Sequence, residues 1–145
     1  MAQAFADMTL DELRPALARA LPAHAGFDGW SAKAVESASA DLGVDPAVAR
    51  LVFGDDRVAM IDGWFQTIDT DMLKALPPEK LAAMKVRERI TALVEARLAL
   101  ARPHREALRR ALSILAFPGN APRAAQLGWR AADAMWRAAG DTATD

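Results

Sequence analysis

Side chains that could carry out acid–base or metal chemistry are few in this sequence and stand far apart. His24 and His104 are the two histidines, and neither follows a glutamate by three residues, as the Glu-x-x-His motif of helical di-metal sites requires. Cysteine is absent, which removes thiolate ligands and thiol nucleophiles. A metal site is therefore not expected.

Sequence motifs for nucleophiles and nucleotides are also missing. The chain has no G-x-S-x-G, no G-x-x-x-x-G-K-[ST] and no G-x-G-x-x-G pattern. The acid pairs Asp55-Asp56 and Asp69/Asp71 could work as paired carboxylates, or could cap helices and face their dipoles. Their positions at a helix start and in a solvated turn favour capping. The sequence thus predicts no catalytic residue, no bound cofactor and a protein that is not an enzyme.

One arginine lies where an apolar residue is expected. Val86, Ile90, Leu93 and Leu100 recur at helical spacing, and Arg97 falls on the same stripe, four residues after Leu93. An unpaired charge in a core is costly. Arg97 therefore either forms a structural ion pair with a neighbouring acid, or keeps its stem covered and its head in water.

A tryptophan stripe runs along the last helical segment. Its members are Ala125, Trp129, Ala132, Trp136 and Ala139. Beside it runs a heptad-spaced arginine stripe of Arg123, Arg130 and Arg137. Two indoles two turns apart favour packing in the core, and the alternative is an exposed aromatic surface for a partner or a lipid. Asp133, between the stripes, forms a surface ion pair or is the partner of Arg97 or of another protein's cation.

The elements that must position these residues all have helical patterns. Alanine, leucine and arginine dominate, and β-branched residues never alternate, so we predict an all-α fold of about seven helices. The predicted segments are about Leu10–Ala25, Ser31–Leu42, Pro46–Phe53, Asp56–Leu76, Glu79–Ala101, Arg105–Ala116 and Ala121–Ala139. Ser31 and Asp45 are the expected N-caps, and Gly43 and Gly140 are expected to close helices. The second and third segments form a predicted helix-turn-helix.

The charge distribution argues against nucleic acid as a partner. Residues 1–64 hold five Lys/Arg against ten Asp/Glu, a net of −5, and the remainder holds 13 against 9, a net of +4. The second helix of the helix-turn-helix, "DPAVARLVF", has Arg50 as its single cation. A DNA-reading helix needs polar and basic residues near its start. We therefore expect a helix-turn-helix that does not bind DNA.

The sequence shows no signal for secretion or for crossing a membrane. The opening "MAQAFADMTLDEL" has no basic region and no long apolar run, and no later window approaches the roughly 18 uncharged apolar residues of a membrane span. A cytoplasmic protein with at most peripheral membrane contact is expected.

Four stretches carry a resemblance to a known family. They are "HAGFDGWSAKAVESASADLG", "MKVRERITALVEARL", "ALSILAFPGNAP" and "ADAMWRAAGDTATD". Together they resemble the ubiquinone (coenzyme Q) biosynthesis accessory protein family, the lipid-binding relatives of the TetR regulators. The resemblance is strongest over residues 84–145 and weaker over 24–64, so it covers most of the chain.

The resemblance implies a fold and an activity. It implies one TetR-like domain over residues 1–145, with a helix-turn-helix portion at 1–54 and a lipid-binding helical portion at 55–145. It also implies that a polyprenyl quinone precursor is bound between the long helices and presented to a di-iron hydroxylase, peripheral to the inner membrane. Asp133, Met135, Trp136 and Asp145 match the family's surface for that hydroxylase.

The lining of the lipid cavity is inferred from helical periodicity. The candidates are Ile68, Met72, Ile90, Leu93, Val94, Leu108, Leu112, Leu115 and Leu127. Each has an alternative interpretation as an ordinary core residue.

The chain departs from the family pattern at its end. Family members continue after the "GDTATD" position with a Phe-Asn-Trp-Tyr run, two dimer-packing helices and an amphipathic membrane helix, so we expect a C-terminally truncated relative. An apolar surface bared on the last helices would favour a substitute oligomer such as a homodimer. The alternative function is a TetR-like transcriptional regulator with a hydrophobic effector.

Overall fold

The helices follow one another with short connections. The computed structural model describes residues 8–143, with the side chains of residues 8–140. This part of the chain forms nine α-helices, two short 3₁₀ turns and no strand, which confirms the all-α prediction. The α-helices are α1 Leu10–Ala20, α2 Pro22–Asp28, α3 Ala32–Leu42, α4 Pro46–Phe53, α5 Arg57–Ala75, α6 Pro78–Ala82, α7 Val86–Ala101, α8 Arg105–Leu115 and α9 Ala121–Ala143. The 3₁₀ turns are Arg102–His104 and Pro118–Asn120.

The caps predicted at Ser31, Asp45 and Gly43 are present in the structure. The Ser31 side chain accepts a hydrogen bond from the Ala34 N–H, and the Asp45 side chain accepts one from Ala47. Gly43 closes α3 in the left-handed conformation, with φ of 70°. The helix-turn-helix of α3 and α4 is therefore present as predicted, and both helices pack on α1.

Two predicted helices are each divided in two, which gives nine helices where seven were expected. The segment predicted from Leu10 to Ala25 breaks at Leu21, because Pro22 cannot donate to the helical ladder and instead begins α2. The segment predicted from Glu79 to Ala101 breaks between α6 and α7. There the Arg89 guanidinium donates hydrogen bonds to the carbonyls of Leu81 and Met84.

The prediction that Gly140 ends the last helix is wrong. α9 continues to Ala143, and the positive-φ glycines of the described chain are Gly29, Gly43 and Gly54. A glycine inside a helix costs only about 1 kcal/mol relative to alanine, so its presence does not oblige a helix to end.

The apolar interior forms two clusters. The larger one joins the helix-turn-helix portion to α5 and α8 and includes Leu17, Trp30, Ile61 and Trp64. Within it, the Trp30 and Trp64 ring centroids are 5.4 Å apart, and Trp30 Nε1 donates a 2.9 Å hydrogen bond to the Ala107 carbonyl. The smaller cluster lies between α5, α6, α7 and α9. Its buried members are Met72, Leu76, Leu81, Leu93 and Ala139.

Candidate functional site

The nine predicted cavity residues lie on the expected long helices, with three degrees of burial. Ile68, Met72, Leu93 and Leu127 are buried. Ile90, Leu108 and Leu115 are half-buried, whereas Val94 and Leu112 are exposed. The structure therefore places most of the set at or next to the interior.

These residues are divided between the two clusters. Ile68 and Leu127 belong to the larger cluster, with Leu108 and Leu115 packed against it. Met72 and Leu93 belong to the smaller cluster, with Ile90 packed against it. Leu100 borders both clusters, so the two apolar regions approach each other along α7. The lining role of all nine residues stays a prediction.

Arg97 forms an ion pair that joins α7 to α5. Its Nη1 donates to Asp69 Oδ1, and the two side chains keep only 16% and 20% of their surface exposed. Burial raises the pKa of Asp69 above its ordinary value, and the nearby Arg97 opposes this rise without cancelling it. Of the two interpretations of Arg97, the geometry is that of a guanidinium held by an acid on α5. Asp133 is not its partner, because Asp133 pairs with Arg137 at 2.9 Å.

A more deeply buried arginine, Arg89, was not singled out from the sequence. Its Nε donates to the carbonyls of Leu81 and Met84 at 2.8 and 2.9 Å, and its Nη1 donates to the Ala139 carbonyl at 3.1 Å. It thereby links the end of α6, the start of α7 and the last helix. Its position four residues before Leu93, on the buried face, was the available signal.

The last helix presents both indoles of the tryptophan stripe to solvent, whereas Ala139, the last member of the stripe, is buried. Trp129 is 77% exposed and Trp136 is 69% exposed, so the prediction that these indoles form core is wrong, and the exposed alternative holds. The neighbouring arginine stripe faces the protein instead. Arg123 pairs with Asp56 and Arg130 pairs with Asp62, each at 2.9 Å, so that these two members of the arginine stripe lie toward α5.

The residues matched to a hydroxylase surface do not all share one face. Trp136 is exposed, and Asp133, three residues earlier on the same helix, pairs with Arg137. Met135 is half-buried and packs against the smaller cluster. Asp145 lies outside the described residues. The structure thus brings Asp133 and Trp136 together and turns Met135 inward.

Open clefts occur near the helix-turn-helix portion. One of about 460 Å³ and one of about 370 Å³ share Arg57, Ser113 and Ile114 in their walls. None of the nine predicted cavity residues lines either of these two clefts.

The outer face of α4 lacks the chemistry of DNA reading. Ala47, Val48 and Leu51 are exposed on it, and its single cation, Arg50, is held by Glu36. Apolar side chains cannot contact phosphates, so this helix offers little to a duplex.

Catalytic and metal-binding constellations are equally sparse in the described part. Between residues 8 and 140 no group of three or more His, Cys, Asp or Glu side chains is arranged to hold a metal ion. His24 contacts Asp41 at 2.6 Å, whereas His104 lies edge-on to Trp64, with centroids 6.1 Å apart. The helices of the described region also include none that is both long enough and apolar enough to span a bilayer.

Comparison with known proteins gives a consistent match. The human protein named "Ubiquinone biosynthesis protein COQ9, mitochondrial" is 34% identical over 132 residues, which cover 86% of this chain. The proteins of the same name from Bos taurus and Rattus norvegicus are 32% and 33% identical over 124 residues, or 81% of this chain. Over this stretch the chain is a homologue of COQ9. No protein-family model matches the sequence.

The COQ9 relatives are much longer than the stretch they share with this chain. The chain spans 40% of human COQ9 and 39% of the bovine and rat COQ9 proteins. The homology therefore relates the helical bundle described above to one part of COQ9.

Proposed function

We propose that this chain is a lipid-binding accessory protein of ubiquinone biosynthesis. In this proposal it binds a polyprenyl quinone precursor and presents it to the di-iron hydroxylase of the pathway, and it catalyses no reaction itself. The observation that carries the proposal is the 34% identity to human COQ9 over 86% of the chain.

The apolar interior of the long helices supports the lipid part of the proposal. The smaller cluster joins α5, α7 and α9 around Met72 and Leu93, and the larger cluster continues from it beyond Leu100. Val94 and Leu98, one turn apart on α7, extend apolar surface to the solvent. An isoprenoid tail would enter between these helices by separating side chains that now pack on each other.

Lipid extraction tests this part directly. We expect mass spectrometry of an organic extract of the purified protein to show a polyprenyl quinone or its precursor. Ile90→Trp, at the edge of the smaller cluster, should reduce the amount bound, because the indole would occupy the proposed tail path. Leu51→Trp, on the exposed face of α4 and outside both apolar clusters, is the matched control. Wild-type protein that carries no prenyl lipid, and binds none from vesicles that contain ubiquinone, would refute the proposal.

The presentation step is assigned to the exposed part of the matched surface. We place Trp136 and Asp133 at the contact with the hydroxylase, because they are one turn apart on α9, with Trp136 exposed and Asp133 half-buried. Trp136→Ala should weaken co-purification with the pathway's di-iron hydroxylase. Phe117→Ala, an equally exposed aromatic residue outside this surface, should not. Equal retention of both variants would place the contact elsewhere.

Contact with the membrane belongs to the same proposal and is peripheral. Ubiquinone precursors with prenyl tails reside in bilayers, so the protein would have to approach one to load its lipid. Co-sedimentation with vesicles that contain ubiquinone measures this contact, and recovery of all the protein in the supernatant would count against it.

A further inference from the structure

A small polar cleft lies between α1 and α5 and shares no lining residue with the two clefts described above. Its volume is about 320 Å³. It is lined by Arg14, Pro15, Arg19, Gly63, Gln66, Thr67, Thr70 and Lys74. Three of these residues are cations and none is an acid. The lining therefore carries an excess of positive charge, although residues 1–64 hold five Lys/Arg against ten Asp/Glu.

The periodicity of α5 explains how the polar residues come to share one wall. Gly63, Thr67, Thr70 and Lys74 recur at intervals of four, three and four residues, which places them on one face of the helix. The Thr67 and Thr70 hydroxyl groups each donate to a backbone carbonyl of α5. The side-chain donors that a ligand could use therefore come from the three cations and from Gln66.

Two of the three cations have no acidic partner in the described part of the chain, namely Arg14 and Lys74. The Arg14 guanidinium lies over the Phe53 ring, with its Cζ 5.7 Å from the ring centroid. A cation–π contact holds the charge in place without using a hydrogen-bond donor of the guanidinium. Arg19 differs, because its Nε and Nη2 donate to Asp71 at 3.3 and 2.9 Å, which leaves Nη1 for a ligand.

We propose that this cleft binds the phosphate group of a small phosphorylated molecule. A phosphate ester carries a charge of about −1.5 to −2 at pH 7 and presents three strong acceptor oxygens. Arginine pairs with two phosphate oxygens at once, and lysine binds phosphate as a point charge. A carboxylate offers only one charge and two oxygens to the same three cations. The volume lies at the low end of the roughly 300–1,000 Å³ of ligand sites, which suits a phosphate or diphosphate group with a short organic part.

This inference goes beyond the proposed function and does not depend on it. None of the nine predicted lipid-lining residues lines the cleft, and neither does Asp133 or Trp136. A protein that carries prenyl lipid but binds no phosphate would leave the proposed function intact and overturn the inference. Phosphate binding by a protein that carries no prenyl lipid would have the reverse meaning.

Isothermal titration calorimetry with inorganic pyrophosphate tests the site. We expect the wild type to bind with a Kd below about 1 mM, and Arg14→Gln to raise this Kd at least about tenfold, because a charge-assisted hydrogen bond is lost. Lys74→Gln should also weaken binding. Arg87→Gln and Lys80→Gln, at exposed cations outside the cleft, are the matched controls. A wild type that does not bind pyrophosphate, or cleft variants that bind as tightly as their controls, would overturn the proposal.

Removing the acid that engages Arg19 should have the opposite effect. Asp71→Asn takes away a negative charge beside the cleft and releases the Arg19 guanidinium, so we expect the Kd for pyrophosphate to fall at least about threefold. Asp55→Asn changes the net charge equally at an exposed site outside the cleft and should leave the Kd unchanged. Loss of structure cannot tighten binding, so this variant keeps the test decisive if Arg14→Gln misfolds, which circular dichroism would show. An Asp71→Asn variant that binds no more tightly than Asp55→Asn would overturn the assignment of Arg19 to the site.

The phosphate group could belong to a free metabolite or to a lipid headgroup, and two further probes distinguish these sources. Displacement of pyrophosphate by glycerol 3-phosphate would indicate a free metabolite. Co-sedimentation with phosphatidylcholine vesicles that requires added phosphatidic acid, and that pyrophosphate reverses, would indicate a headgroup. Acetate at the same ionic strength is the control for selectivity. If acetate displaces pyrophosphate as effectively as glycerol 3-phosphate does, the cleft is not a phosphate site and the proposal is overturned.

Discussion

Arg89 shows how one side chain can set the boundaries of several helices. Its guanidinium is buried and donates to carbonyls at the end of α6, in the α6–α7 connection and in α9. Each of these hydrogen bonds has a charged donor, and such bonds contribute more to stability than neutral ones. The charge is tolerated because backbone oxygens surround it.

Removing this guanidinium should therefore be strongly destabilising. Arg89→Met preserves the length and apolar stem of the side chain but removes the three hydrogen bonds that join α6, the α6–α7 connection and α9. We expect the free energy of unfolding in urea to fall by about 2–4 kcal/mol. Arg87→Met, two residues earlier on the exposed side of α7, should change it by less than about 0.5 kcal/mol. Equal effects of the two variants would show that Arg89 has no special structural role.

Asp56 both caps the start of α5 and forms an ion pair with Arg123. Only the ion pair depends on the charge of the carboxylate, so a change of pH distinguishes the two roles. Its carboxylate accepts a hydrogen bond from the Ala59 N–H and two from Arg123, at 3.0 and 2.9 Å. The hydrogen bonds from Arg123 are the main reason why the pKa of Asp56 lies below its ordinary value of 3.8. Asp56→Asn keeps a side-chain oxygen for the cap and removes the charge.

The expected effect of this variant is small and depends on pH. At pH 7, Asp56→Asn should lower the free energy of unfolding by less than about 1 kcal/mol, because the pair is partly exposed. A carboxylate with a depressed folded pKa stabilises the fold above its ordinary pKa, and this contribution is lost as pH falls through the folded pKa. Urea unfolding between pH 7 and pH 3 should show the gap to wild type closing below about pH 4. A gap that stays constant would contradict the role of the charge.

At the scale of elements, the orientation of α9 is decided by what lies opposite it. Arg123 and Arg130 are seven residues apart. Asp56, the N-cap of α5, and Asp62 within α5 are six apart, so two ion pairs form along the same pair of helices. Only Leu127 and Ala139 of α9 are buried among its described residues. The helix is therefore attached through Leu127, Ala139 and the half-buried Met135, with the two ion pairs beside them, and leaves its indoles outside.

Gly63 marks the closest approach of α5 to its neighbours. A Cβ added there would lie 3.1 Å from the Phe53 ring and 3.2 Å from Ala18 Cβ, both of them buried. Gly128, inside α9, has open space at the same position. Substitution by alanine should therefore have opposite effects on stability at the two glycines.

We expect alanine to destabilise the fold at the first site and stabilise it at the second. Gly63→Ala should lower the free energy of unfolding by about 1–2 kcal/mol, because Ala18 cannot move aside by rotating a side chain. Gly128→Ala should raise it by up to about 1 kcal/mol, through helix propensity alone. Thermal and urea unfolding of both variants measure this. A stabilising Gly63→Ala would mean that α1 and α5 can separate freely.

At the scale of the whole molecule, the opposite charges of the two halves meet across the fold. The acidic front contributes Asp56 and Asp62, and the basic back contributes Arg123 and Arg130. The charge asymmetry between the two halves is thus partly neutralised by ion pairs within the molecule, and it does not create a basic face on the helix-turn-helix.

DNA binding is therefore not expected, although a helix-turn-helix is present. In a gel-shift assay with duplex DNA at about 50 mM salt, we expect no retardation, because few cations are available to release counterions. A shift that weakens as salt is raised would favour the alternative of a transcriptional regulator.

Sequence alone determined the features that depend on neighbours along the chain. Helical content, the caps at Ser31, Asp45 and Asp56 and the closure at Gly43 follow from propensity and hydrogen bonds within one turn. The absence of a metal motif and of a basic reading helix was also visible, as was the family resemblance. Gly140 was misjudged because glycine permits a helix end without imposing one.

Tertiary structure alone decided which helix faces lie against each other and which side chains pair. The periodicity of α9 defined an indole stripe and an arginine stripe, but either could have faced the bundle until the acids of α5 lay opposite the arginines. In the same way, Asp69 rather than Asp133 became the partner of Arg97, and Arg89 found its acceptors on three separate segments. Such pairings join residues far apart in sequence, and a repeat of 3.6 residues carries no information about which surface it will meet.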